Sequence, residues 1–349
     1  MSLTTQRPGR PTVTEAENTA PPATVDRAFD LMGTHMRVII GTPVVKGALP
    51  PQEAADAVVA LLRNYDRKLS RFREDSELCA LNRDPRPVVP ASRLLREAVS
   101  VALRVARDTD GLVDPTVLGD LEAAGYTESW DSERRIELAS ALRDSADHRV
   151  PAAPRADARW KAISVDDEAG TITRPPGLRI DTGGSGKGHA ADLAARLLDD
   201  YDAWAVDCGG DLRLGGRLGV LREVEVEDPF TGESCGSLRV RSGAVATSGL
   251  RSRIWRGTDG DIAHHLLDPA TGAPAFTGVV AATAVAPTAV QAEALAKTAL
   301  LGGPRQARST LLRHGGMFVT EDGAVHRVGR QEAPQRLRIT LPSRPEIAA

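Results

Sequence analysis

The stretch DTGGSGKGHA, residues 181 to 190, constrains this chain more than any other ten residues. It places four glycines and one lysine between a short apolar strand signal at Ile180 and the helical pattern AADLAARLLDD. A glycine-rich turn that leads into a helix is a common way to hold phosphate, because the turn and the first helical N–H groups both present donors to an anion. Each glycine costs backbone entropy on ordering, so four of them argue against a turn with no ligand. Lys187, at the start of the helix, opposes the helix dipole unless an anion meets it there.

Two familiar phosphate loops fit poorly. A nucleotide-triphosphate loop needs G-x-x-x-x-G-K-[ST], but Asp181 stands where the first glycine belongs and Gly188 where the hydroxyl belongs. A dinucleotide fingerprint finds Gly186, Gly188 and Ala191 at the right spacing, with Asp207 downstream. Yet five residues separate Ile180 from Gly186, and no run of βαβ units precedes them. A nicotinamide dehydrogenase is therefore the outlying reading.

The rest of the chain narrows the class. With 41% hydrophobic but only 3% aromatic residues, the core must rest on Ala, Val and Leu. The net charge of -3, with Lys and Arg scattered among acids, excludes a nucleic-acid footprint. Residues 1–25 are polar and Pro-rich and lack the apolar core of a signal peptide, so they read as a disordered tail. No run approaches the roughly 18–20 apolar residues of a membrane span, so stable membrane insertion is not expected. Cys79, Cys208 and Cys235 form no CxxC and read as reduced thiols of a cytoplasmic protein, without zinc.

Periodicity predicts one strand over 28–41, helices over 51–69, 92–108 and about 288–301, and a short helix within SRFREDSELCALN. DGLVDPTVLGDLEAAGY reads as a turn-rich connection, and residues 127–158 read as a surface excursion. From 159 the pattern turns to short strands, and HGGMFVTEDGAVHRVG has hairpin character. Helices come early and strands late, which indicates an α+β fold.

Eight segments, in order, carry a resemblance: MGTHMRVII, LSRFREDSELCALN, LVDPTVLGDL, IDTGGSGKGHAADLAARLL, VDCGGDLRLGG, VATSG, HHLLDPATGAP and AEALAKTALLGG. Together they resemble the FAD:protein FMN transferase family, also called ApbE, over about residues 26–330, leaving 331–349 as a C-terminal extension. The resemblance implies an α+β domain in which a helical part packs on a strand-rich part with an FAD cleft between them. It implies transfer of FMN from FAD, through a phosphoester, to a Thr or Ser hydroxyl of an acceptor flavoprotein, with AMP leaving and Mg2+ assisting. FAD hydrolysis and flavin binding without catalysis are the alternatives.

The same resemblance assigns roles by position. Met32 would touch the flavin, or else be a core methionine. Phe72 would stack on a ring of FAD, or simply pack. Asp114 and Thr116 would hydrogen-bond FAD, or form an Asx turn beside Pro115. Asp181 and Lys187 would contact FAD and its phosphates, while Gly184 would offer its carbonyl to the metal. Gly209 and Gly210 would wall the pocket, Thr247 and Ser248 would supply hydroxyls, and Leu266 would contact the cofactor. His265 would be the general base with Asp268 beside it, or a strand histidine before an Asp-Pro turn. His264 reads as structural.

Two departures stand out. Leu250 and Arg251 follow TSG where relatives carry an acid and an aromatic. In the late helix, relatives carry D-x-x-x-T, whereas Glu293 and Lys297 hold those places here, with Thr298 one residue beyond. An i,i+4 Glu–Lys pair is the plain interpretation. Functionally, either Glu293 and Thr298 keep a metal site with other oxygens, or Lys297 takes over part of the metal's charge, since an ammonium cannot ligate a cation.

Overall fold

A computed structural model of the chain describes residues 24–130, 134–145, 149–257 and 260–329, and the backbone of one strand before them. In chain order it contains β1 (Val13–Glu15), β2 (Val25–Leu31), β3 (Thr34–Ile40), α1 (Pro51–Leu69), α2 (Glu77–Arg83), β4 (Val88–Pro90), α3 (Arg93–Asp108), α4 (Leu118–Ala123) and α5 (Leu138–Asp144). There follow β5 (Ser164–Asp166), β6 (Thr171–Thr173), α6 (Gly186–Ala195), β7 (Trp204–Cys208), β8 (Asp211–Gly215), β9 (Arg222–Glu227), β10 (Ser234–Val240) and β11 (Gly243–Gly249). The chain continues through β12 (Ile254–Arg256), β13 (Ile262–His264), β14 (Val279–Ala286), α7 (Ala289–Leu301), α8 (Gly303–Leu311), β15 (Gly316–Thr320) and β16 (Val325–Val328).

An eight-stranded sheet in the order β16-β15-β14-β11-β8-β7-β3-β2 forms the frame, and each neighbouring pair runs antiparallel. Side chains alternate across it with period two. Met36, Val38, Ile40, Val206, Ala244 and Ala246 face one core, where they meet Ala54, Val58 and Leu62 of α1 and Ala190, Ala191 and Ala194 of α6. Ala205, Leu212, Leu214 and Val245 face the other, beneath Val224, Val226, Leu238 and Val240 of the small sheet β1-β9-β10. Both faces are therefore covered, helices on one side and a second sheet on the other. Among the described residues the antiparallel pairing leaves no βαβ unit for a dinucleotide fold.

The predicted helices form where periodicity placed them. Along α1 the buried face runs through Ala54, Val58, Leu62, Tyr65 and Leu69, and Pro51 opens the first turn. Ser92 caps α3 by accepting from the Leu95 N–H. Leu118–Ala123, within the expected turn-rich connection, is the short helix α4. Four local readings change. The expected single strand over 28–41 is a hairpin, turned at Met32 and Gly33 with φ of 55° and 65°. Ile180 is not in a strand; the Asn82 side chain holds both its N–H and its carbonyl at 2.8 Å. Within 127–158, α5 buries Leu138 and Ala141 against Leu250 and Ile254, so this segment is partly core. In the N-terminal tail, Val13–Glu15 pairs with β9; residues 1–12 and 16–23, and the extension from 330 onward, lie outside the described residues.

Among the described residues no helix is long and apolar enough to cross a membrane. The three cysteines are free, with Cys208 buried.

Helices α6 and α7 approach each other so closely that a Cβ on Gly188 would stand 2.7 Å from the Ala289 backbone. Gly188 has no positive φ, so this close contact, not conformational freedom, is what demands glycine. Gly188→Ala should lower the unfolding free energy by about 1–3 kcal/mol, as overpacking does. Urea denaturation reads this directly, and a loss under about 0.5 kcal/mol would show that the two helices can part at no cost.

Candidate active site

A cavity of about 440 Å³ lies where the end of α1, the loops after α1 and α3, the glycine-rich turn and the segment after β13 meet. Its size suits a small-molecule site. Of the residues singled out from sequence, Met32, Phe72, Asp114, Asp181, Gly184, Lys187, His265 and Leu266 line it together. The lysine-bearing turn and the histidine segment thus face one hollow, although 77 residues lie between Lys187 and His265. Thr116, Gly209, Gly210, Thr247, Ser248, Asp268, Glu293 and Thr298 stand behind or away from its wall.

The two acidic loops are tied to each other. The Asp181 N–H donates to the Pro115 carbonyl at 2.8 Å, which docks the glycine-rich turn on the VDPTV loop. Asp114 accepts from the N–H and hydroxyl of Thr116 at 2.7 and 2.6 Å, an Asx turn that uses one carboxylate oxygen and buries Thr116. Its other oxygen, Oδ2, is buried with no hydrogen-bond partner. Burial raises the Asp114 carboxyl above its ordinary value, and its bonds to Thr116 oppose that shift. Asp181 accepts from the Gly183 N–H at 2.9 Å and faces the Arg71 guanidinium at 3.7 Å. Arg71 in turn lies between two rings, 4.1 Å from the centre of Phe72 and 4.4 Å from that of Tyr126. Phe72 therefore packs on protein with one side while it lines the cavity.

Below the glycine-rich turn lies a buried ionic cluster. Lys187 reaches Asp211 at 2.7 Å and donates to the Gly209 carbonyl at 3.3 Å. Gly209 and Gly210 make the positive-φ turn between β7 and β8, with φ of 72° and 94°. On α7, Glu293 is fully buried; one oxygen accepts from Lys297 at 2.7 Å and the other from the Gly188 N–H at 3.0 Å. Burial and nearby Asp211 push the Glu293 carboxyl up, against the pull of Lys297 and Lys187. Burial opposes charge on Lys187, but Asp211 and Glu293 outweigh it and leave the ammonium more basic than usual.

The histidines divide the work. His264 is fully buried, edge-on to Phe276, and its Nδ1 accepts from the Leu266 N–H at 3.2 Å. Burial pushes it down to about 3, so it is neutral and structural. His265 lines the cavity, and burial, with Arg253 beside it, holds it well below its ordinary value. Its Nδ1 faces the Arg253 carbonyl at 3.4 Å. A carbonyl only accepts, so Nδ1 carries the proton and Nε2 keeps its lone pair. Asp268 does not touch this ring. Its carboxylate accepts from the N–H groups of Ala153 and Ala270 and from the Thr271 hydroxyl, which shapes the Asp-Pro turn instead.

The strand residues named from sequence form a hydroxyl pair across the sheet: Thr247 and Thr283 meet at 2.9 Å, and Ser248 is buried beside them. Leu250 enters the core, and Arg251 pairs with Glu227 on β9, away from the cavity. Sequence reasoning missed Arg71, Tyr126 and Arg253, all lining the cavity. Arg71 and Tyr126 lie within segments quoted above, but nothing in the residue order tells which side chains of those segments turn toward a ligand.

The implied magnesium site does not fit these residues. Both Glu293 oxygens are already engaged, one by an ammonium that cannot ligate. Thr298 has a buried hydroxyl with no hydrogen-bond partner, but it lies about 140° around the helix from Glu293 at 100° per residue. Among the described residues no three His, Cys, Asp or Glu side chains come together as metal ligands.

A pH effect on stability follows from His264. With a folded value of about 3 against the ordinary 6.5, the unfolded chain takes up a proton that the fold refuses. Stability should therefore fall as pH drops below about 6.5, by roughly 2 kcal/mol at pH 5 from this group alone. His264→Asn keeps an acceptor for the Leu266 N–H and removes the titration. Its melting temperature should fall less between pH 7 and 5 than that of the unaltered protein, and an equal fall would refute the assignment.

The ApbE family model matches residues 32–319. The chain is 29% identical over 315 residues to the FAD:protein FMN transferase of Klebsiella pneumoniae, covering 86% of this chain and 85% of that one. It is 29% identical over 322 residues to the FAD:protein FMN transferase of Treponema pallidum, with the same coverage of 86% and 85%. The ApbE protein structure from Thermotoga maritima superposes with a TM-score of 0.70 at 28% identity, over 87% of this chain and 96% of that one. The apo flavinyl transferase ApbE of Pseudomonas stutzeri shares the fold, with a TM-score of 0.67 at 22% identity over 94% and 96% of the two chains. With its cavity-forming segments inside the matched region and its sheet and helices matched in solved members, the chain belongs to the ApbE family.

Proposed function

We propose that the chain transfers FMN from FAD to a Thr or Ser hydroxyl of an acceptor flavoprotein, forming a phosphoester and releasing AMP. The observation that carries this reading is His265, its Nδ1 turned to the Arg253 carbonyl, lining one cavity with Lys187, Arg253 and Lys297. The names of the relatives agree with it.

Phosphoryl transfer asks for positioning, compensation of charge and a base for the attacking hydroxyl. The acceptor oxygen bonds to the FMN phosphorus, the bond from that phosphorus to the bridging oxygen breaks, and AMP leaves with that oxygen. His265 Nε2 takes the hydroxyl proton. Lys187, Arg253 and Lys297 make the lining of the cavity positive, as a diphosphate requires. Asp268 acts as a positioning residue: it fixes the turn that follows His265, through Ala153 and Thr271. No step is assigned to magnesium, because both oxygens of Glu293, its expected carboxylate ligand, are already engaged.

Incubation with FAD and a panel of flavoproteins should leave a flavin-fluorescent band that survives denaturation. His265→Asn should slow its formation by about 10²–10⁴-fold, the usual contribution of a general base, with FAD affinity within about twofold. A variant as fast as the unaltered protein would remove His265 from the reaction. AMP release with no labelled acceptor would reassign the chain as a hydrolase.

A further inference from the structure

We infer that the Lys297 ammonium, fixed on buried Glu293 and joined by Arg253, is the cation that meets the diphosphate of the donor, so that donor binding does not depend on a divalent metal. This rests on the flavin reading above, and it adds what neutralises the ligand.

Three observations carry it. First, Lys297 and Arg253 both line the cavity with His265, and the Arg253 carbonyl meets His265 Nδ1 at 3.4 Å. Both are near enough to lower the basicity of His265, which places their charges at the reacting end. Second, Glu293 is spent. Its oxygens are taken by the Lys297 ammonium at 2.7 Å and by the Gly188 N–H at 3.0 Å, at the first turn of α6. A divalent ion would have to displace the Lys297 ammonium from Glu293 and would find no second carboxylate on that helix face. Third, Arg253 has no carboxylate partner among the described residues, so its charge is available to an anion; its guanidinium lies 5.7 Å from the centre of the Tyr126 ring. A lysine held this way is a point charge pinned by its counter-ion, with three donors to share between a carboxylate and a phosphate oxygen.

The test is flavin binding by calorimetry, with FAD and riboflavin as the two probes, in EDTA and in excess magnesium. The unaltered protein should bind FAD with an affinity that changes less than about threefold between the two buffers. The double variant Glu293→Gln/Lys297→Met removes the pair without stranding a charge and keeps an acceptor for the Gly188 N–H. It should bind FAD about tenfold more weakly or worse, as loss of a charge-assisted contact does, and riboflavin within about twofold. Tightening of FAD binding by magnesium of tenfold or more in the unaltered protein would overturn the inference. So would a double variant that binds FAD undiminished, or one that loses riboflavin equally, since riboflavin has no diphosphate. Binding of neither flavin by the unaltered protein would sink the flavin reading itself, and this inference with it.

Discussion

A carboxylate with no exposed surface must be compensated within the protein, and Glu293 is compensated by two helices at once. Its own helix supplies Lys297 one turn on, and α6 supplies the Gly188 N–H near the positive end of its dipole. Removing either partner would strand a buried charge, which costs about 3–5 kcal/mol in comparable pairs. The arrangement requires α6 and α7 to touch backbone to backbone, and small residues make that possible: Gly188 on one side, Ala289 and Ala292 on the other. The alanine-rich core is thus the condition for placing two lysines beneath one cavity.

The sheet gives this helix pair something to rest on. Because its strands alternate faces, one side holds α1, α6 and α7 while the other is sealed by β9 and β10. The cavity then forms from connections rather than from regular elements: the loop after α1, the VDPTV turn, the glycine-rich turn and the segment after β13. Such loops need external bracing. They receive it from the Asp181–Pro115 hydrogen bond, from Arg71 between two aromatic rings, and from Asp268 across to Ala153.

Helices were legible because burial leaves a 3.6-residue signature, and α1 and α3 show it with their openings marked by Pro51 and Ser92. The hairpin at Met32–Gly33 was not, because its turn lacks the Asn-Gly or Asp-Gly dipeptide that marks such loops. Residue order also misleads about contact. Asp268 follows His265 by three residues, yet the chain turns at Pro269 and gives that carboxylate to the turn. The four glycines suggested phosphate by pattern alone, whereas Gly188 is required by the neighbouring helix, and a Cβ on Gly184 would press on the Val113 side chain at 3.0 Å. The Glu293–Lys297 pair was legible from its spacing; its burial was not, since nothing in four residues of sequence reveals what packs above them.

Met32 adopts a left-handed backbone at a two-residue turn and still presents its side chain to the cavity. Such a turn has no slack. One inserted residue would slip β2 against β3 and carry Phe29 and Leu31 to the opposite face. The register of β2 on β3 thus sets the length of this hairpin tip, which makes it a ruler along one wall of the cleft.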